Sequence, residues 1–188
     1  MLEAFDLNEW INDLEDKMTQ AGISQPILIF MGSCYSGSFI INELSLPDKN
    51  RIIVTSMSPD EVSYRGAVIS DEHYRLRDGD FFLSALLSEL GQGLDLKTSF
   101  QNARIRTTIH TDNGKDLEKI YPYFNSAIQH PLLDDNGDGK GSYYLTTGDD
   151  GEIAEKIILG WNDTNYIQNM SFFLDLAILI NTLFYACK

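Results

Sequence analysis

Two short apolar runs constrain this chain more than any other feature. "PILIF" (26–30) and the run within "NRIIVTSMS" (50–58) are continuous rather than alternating; the first leads through Met31 into "GSCYSGS", and the second ends in small polar residues. A strand with one face in water alternates apolar and polar positions. An unbroken run bounded by turn residues reads as a strand buried on both faces, the pattern of a parallel sheet covered by helices. Helical patterns surround the two runs. In "AFDLNEWINDLEDKMTQAG" (4–22), Leu7, Trp10, Ile11, Leu14 and Met18 recur at helical spacing, and Gly22 follows as a stop. Residues 36–44 open a second helix, 79–93 form a strong one, and 95–112 form another with Leu96, Phe100, Ala103 and Ile105 on or near one face. Residues 59–80 and 113–151 read as loop, and 151–161 as a short closing helix or strand. The order strand, helix, strand, loop, helix predicts an α/β fold with a parallel sheet flanked by helices. Ligands of such sheets sit at the carboxyl ends of the strands. Cys34 and the segment Thr55–Ser58 both lie at such ends.

A length of 188 residues fits one domain, and 43% hydrophobic with 22% charged residues suits a chain that buries a core. The net charge of −14 argues against nucleic acid as a partner, since its binders carry basic patches. The same field mildly favours cationic substrates. The two cysteines, Cys34 and Cys187, make neither a disulfide framework nor a zinc-ribbon spacing. The first residues lack the basic and apolar regions of a signal peptide. The stretch 170–188 has the length of a membrane span but contains Asp175 and Asn181. A charge near the middle of a span costs roughly 2.5–3.5 kcal/mol, which favours a docked helix or irregular tail over a membrane helix.

Cys34 stands in a turn between Gly32 and Gly37, where glycine permits a sharp bend and close backbone approach. A thiol at the start of a helix feels its dipole, which favours the thiolate, and nearby backbone N–H groups can hold an oxyanion. Competing motifs fail. The hydrolase elbow needs glycine where Ser36 stands, a phosphatase loop needs arginine where Ile40 stands, and there is no C-x-x-C. The plain alternative is a buried, inert cysteine.

Four segments, "ILIFMGSCYSGSFI", "RIIVTSMSPDEVSY", "GDFFLSALLSELGQGLDLKTSFQNAR" and "HPLLDDNGDG", together resemble in this order the legumain-like (asparaginyl endopeptidase) cysteine peptidases of the caspase-fold clan. The resemblance covers about residues 5–160. It implies a caspase-like sheet lacking its first strands, with 1–160 as the C-terminal part of a peptidase domain and 161–188 as an apolar tail. It also implies a thiol endopeptidase with Cys34 as nucleophile, peptides or proteins as substrates, and no cofactor needed for catalysis. Ser63 and Asp80 fall on positions that line the pocket for the residue before the scissile bond. The plain readings beside these are a loop hydroxyl for Ser63 and a helix N-cap for Asp80. Specificity for Asn, Asp or Arg stays open.

The caspase-type base is a histidine roughly 50 residues upstream of the cysteine. None of the 33 residues before Cys34 is histidine; His73, His110 and His130 all follow it. Three explanations stand: a C-terminal piece of a larger peptidase, a degenerate homologue serving as a non-catalytic interaction domain, or a downstream histidine, His73 first, acting in place of the usual one. A more distant reading is a flavodoxin-like module in which Cys34 is incidental. Missing early strands would leave a sheet edge open to self-association or to pairing with an N-terminal half. An extracytoplasmic setting follows if the chain belongs to a larger secreted protein. Finally, Asp134, Asn136 and Asp138 hold positions one, three and five of a calcium loop with Gly139 at six, but Leu145 stands where the twelfth-position glutamate belongs. The alternatives there are weak calcium binding and a solvated Asx/Gly turn.

Overall fold

A computed structural model describes residues 4–41, 46–64, 80–117, 128–146 and 148–159, the side chains of 113–117 excepted. The chain begins with helix α1 (Ala4–Gln20), followed by strand β1 (Ile27–Met31), the short helix α2 (Ser38–Ile41) and strand β2 (Arg51–Thr55). Helices α3 (Phe81–Leu90) and α4 (Leu96–Leu117), strand β3 (Leu132–Asp134) and a 3-10 turn (Ala154–Lys156) follow among the described residues.

The three strands form one sheet in the order β1-β2-β3. β1 and β2 are parallel, with Ile27 opposite Arg51 and Met31 opposite Thr55, while β3 runs antiparallel to β2. The sheet is therefore mixed. Its parallel part is the pair of apolar runs, and its antiparallel strand comes from the stretch that read as loop.

The continuous apolar runs are explained by burial on both faces. On one face Ile29, Met31, Ile53 and Leu132 meet Leu7 and Ile11 of α1 and Ile40 of α2. On the other, Phe30, Ile52, Val54 and Leu133 pack against Phe82, Leu86 and Leu90 of α3 and Phe100 and Ala103 of α4. Successive strand residues alternate between the two clusters, as the pleat requires. α1 ends where expected. Gly22 takes a left-handed φ of 72°, its N–H bonds to the Thr19 carbonyl at 3.0 Å, and Ile23 N–H reaches the Met18 carbonyl at 2.9 Å. These two bonds satisfy carbonyls the helix end leaves open.

α1 is also held by charge. Arg51, 2% exposed, donates to both oxygens of Glu15, to the side-chain carbonyls of Asn8 and Asn12, and to the Leu46 carbonyl. Every donor direction of a buried guanidinium needs an acceptor. Three side chains of one helix face supply most of them. Among the described residues no helix is long and apolar enough to cross a membrane. The stretch 161–188, with Cys187, lies outside the described residues, as does His73.

Candidate active site

Parallel pairing sets the site. Met31 and Thr55 are partners at the carboxyl ends of β1 and β2, and Ser56 N–H continues the ladder to the Met31 carbonyl at 2.9 Å. The turns that follow the two strands are thereby laid side by side. The first carries Cys34, half-buried, and the second carries Ser63, whose Oγ is 3.9 Å from the Cys34 Sγ. That distance is a weak thiol–hydroxyl contact.

The glycines of the cysteine turn serve close approach. A Cβ on Gly37 would stand 2.6 Å from the Met57 carbonyl oxygen and 2.7 Å from Pro59 N; one on Gly32 would stand 2.5 Å from Leu83 Cδ1 and 3.1 Å from Asp80 Cβ. The left-handed bend falls instead on Tyr35, at φ 62°, directly after the cysteine. Its N–H is held by the Glu61 carbonyl at 2.8 Å. α2 begins only at Ser38, and its described part is four residues long, so the dipole expected beneath the thiol has little helix to come from.

Asp80 lies beneath this turn, against Gly32, and both readings of it hold together. Its Oδ1 accepts from Leu83 N–H at 2.9 Å and caps α3. Its Oδ2 is buried with no hydrogen-bond partner among the described residues. Burial pushes the Asp80 carboxyl up to about 6, tempered by the α3 backbone N–H groups and by the nearby hydroxyls of Ser56 and Ser63. Neither hydroxyl closes a hydrogen bond on Oδ2, so a buried acceptor stands open beside Ser63, whose hydroxyl also meets the Cys34 thiol. Cys34, Ser63 and Asp80 are thus one cluster, brought together from three chain segments.

The described histidines are engaged with other groups. His110 stacks on Phe81 with ring centroids 3.8 Å apart. His130 pairs with the Glu61 carboxylate through Nδ1, and its own N–H donates to the other Glu61 oxygen at 2.8 Å. Gln129, 1% exposed, donates from Nε2 to the Ser56 carbonyl at 2.6 Å and accepts from Tyr64 N–H at 3.0 Å. Glu61, Gln129 and His130 were not singled out as site residues from the sequence. Their partners lie 65 to 73 positions away, and no local pattern announces such a pairing.

The acidic loop stands apart. Asp134 is fully buried, and its two oxygens accept from Gly137 N–H at 2.8 Å and Gly139 N–H at 3.1 Å. Asn136 accepts from Asp138 N–H and Asp138 from Lys140 N–H, both at 2.8 Å. The loop is closed by its own backbone as a run of Asx turns. Among the described residues no group of three or more His, Cys, Asp or Glu side chains is arranged to hold a metal ion.

No curated protein matches the chain in a sequence comparison. The model of the Peptidase C13 family matches residues 2–132, which contain both parallel strands, the cysteine turn, Ser63 and Asp80. With that match over well more than half of its length, the chain belongs to the Peptidase C13 family, the legumain or asparaginyl endopeptidase family of cysteine peptidases.

Proposed function

We propose that this chain carries the nucleophile and part of the substrate pocket of a thiol endopeptidase. The observation that bears most weight is the cluster of Cys34, Ser63 and Asp80 at the carboxyl ends of two parallel strands. In this reading the Cys34 thiolate attacks the scissile carbonyl, a thioester forms, and the amine leaves with a proton from a histidine outside the described residues. Ser63 and Asp80 receive the side chain of the residue before the scissile bond. Above about pH 6 the Asp80 carboxylate accepts from an amide or pairs with a basic group; below it the protonated carboxyl donates. The pocket therefore favours Asn or Arg at neutral pH and admits Asp as the pH falls.

The engagement of His110 with Phe81 and of His130 with Glu61 favours a second reading, a non-catalytic interaction domain that keeps the turn without the chemistry. Covalent capture separates the two. The chain is incubated with a peptide ending in an electrophilic Asn or Asp analogue, and the adduct is located by mass spectrometry. Capture at Cys34 well above the rate of a free thiol, lost in Cys34→Ser and strongly slowed in Asp80→Ala, supports the peptidase. Reaction no faster than free cysteine, or equal labelling of Cys187, supports the interaction domain.

A further inference from the structure

We infer that Glu61 and His130 form a clasp that positions the nucleophile turn, a role resting on the peptidase reading for its purpose but on its own geometry for its existence. The argument starts at Tyr35. A tyrosine at φ 62° sits where L-residues are strained, and such a conformation persists only when its surroundings over-determine it. Within the turn its carbonyl accepts from the Ser38 N–H at 3.0 Å and the Ser38 hydroxyl at 2.8 Å, while the bond from its N–H to the Glu61 carbonyl, 2.8 Å long, ties it to a second chain segment. Whatever fixes Glu61 therefore helps to fix the residue next to Cys34.

Glu61 is fixed from several directions. One carboxylate oxygen accepts from the Ser58 N–H at 3.2 Å and the His130 N–H at 2.8 Å, and the other meets the His130 ring. The Glu61 N–H returns to the Ser58 carbonyl at 3.3 Å, and Ser58 Oγ donates to the His130 carbonyl at 3.3 Å. His130 is itself braced by the edge-to-face Tyr143 ring, 4.9 Å away, and Tyr143 is tied to α4 through Thr108. Gln129 staples the same segment at Ser56 and Tyr64. The segment 56–64 is thus anchored to the chain entering β3. The cysteine turn rests on it through Tyr35, through the close approach of Gly37 to Met57 and Pro59, and through the Cys34–Ser63 contact. Glu61 and His130 act through Tyr35 and are positioning residues.

The test uses the chain as it stands, with Glu61→Gln and His130→Gln as independent variants. Amide hydrogen exchange is followed at Tyr35, with Leu83, held by Asp80, as an internal reference. The expected result is exchange at least tenfold faster at Tyr35 with Leu83 unchanged, and a change of fivefold or more in the rate of Cys34 alkylation across its pH profile. Tyr35→Gly supplies the rescue. Glycine adopts a positive φ without strain, so in that background the same two substitutions should change Cys34 alkylation less than twofold. Unchanged Tyr35 exchange in both variants overturns the clasp. Faster Tyr35 exchange with unaltered Cys34 alkylation, or an undiminished effect in the Tyr35→Gly background, overturns the positioning role. Failure of peptide capture with these results intact would count against the peptidase reading alone.

Discussion

At the residue scale, the cysteine turn shows how little room a nucleophile turn leaves for change. Gly37 does not need its freedom of φ; it needs the absence of a Cβ, because the Met57 carbonyl and Pro59 nitrogen stand under 3 Å from where that atom would be. Both neighbours are backbone and cannot rotate away. Gly37→Ala is expected to destabilise the chain by about 1–3 kcal/mol, the usual range for overpacking, read as a lower urea midpoint at unchanged slope. An unchanged midpoint would show that the two turns separate easily. At Asp80 the prediction divides by substitution. Asp80→Ala removes the cap on Leu83 and should cost about 1 kcal/mol or more. Asp80→Asn keeps the capping oxygen and should retain most of the stability while changing the pH dependence of peptide capture. Cys34 was legible from the sequence because a thiol in a glycine-flanked turn after a buried strand is a local pattern. Ser63 and Asp80 were legible only through the family resemblance, since a loop serine and a helix cap look ordinary in isolation. Glu61 and His130 were not legible as a pair, because their contact spans 69 positions and neither flank carries a pattern that implies it.

At the scale of elements, helices could be read because one-sided burial imposes a period on them, and the parallel strands because burial on both faces leaves an unbroken apolar run. β3 could not, since Leu132–Asp134 is too short to show one and is fixed by antiparallel pairing of Leu133 with Val54. α4 runs past the expected stop near 112 to Leu117. Within it the hydroxyls of Thr107, Thr108 and Thr111 donate to carbonyls four residues back, so these poor helix formers direct their hydroxyls to the helix backbone. Nor did the sequence reveal that Arg51 fastens α1 to the sheet. A lone arginine before an apolar run reads as a solvated strand end, yet it is 2% exposed with five hydrogen bonds. Removing one partner of a buried pair leaves the other charge without compensation, at a cost of about 3–5 kcal/mol. Arg51→Ala should therefore lower stability by about that amount. Arg51→Lys should recover only part, because an ammonium cannot span both Glu15 oxygens and two asparagines. Equal stabilities for Arg51→Lys and the parent would mean that the fork geometry is immaterial.

The whole molecule combines a net charge of −14 with buried carboxyls that resist ionisation. Burial raises Asp80 to about 6, and burial together with the neighbouring charges of Asp134 and Asp135 raises Asp150 to about 7. The Oδ1 of Asp150 accepts from Asp135 N–H, while Oδ2 is buried with no hydrogen-bond partner among the described residues. Unfolded, both groups ionise in the ordinary aspartate range near 3.9. Between about pH 4 and 7 the folded chain thus holds protons that the unfolded chain has released. Stability from these two groups is full below about pH 4 and falls as the pH rises, through about 6 for Asp80 and about 7 for Asp150. Repulsion among the excess carboxylates acts in the same direction. The melting temperature should accordingly be higher at pH 5 than at pH 8. Asp150→Asn separates the buried group from the general field. An asparagine keeps the oxygen that Asp135 N–H needs and removes the charge that burial opposes, so the variant should melt higher than the parent at pH 8. At pH 4, where the parent carboxyl is already protonated in the fold, the two should melt together. A gain of equal size at both pH values would trace the effect to packing around Asp150 and remove it from the account of the acid dependence, leaving Asp80 and the surface field to explain the slope.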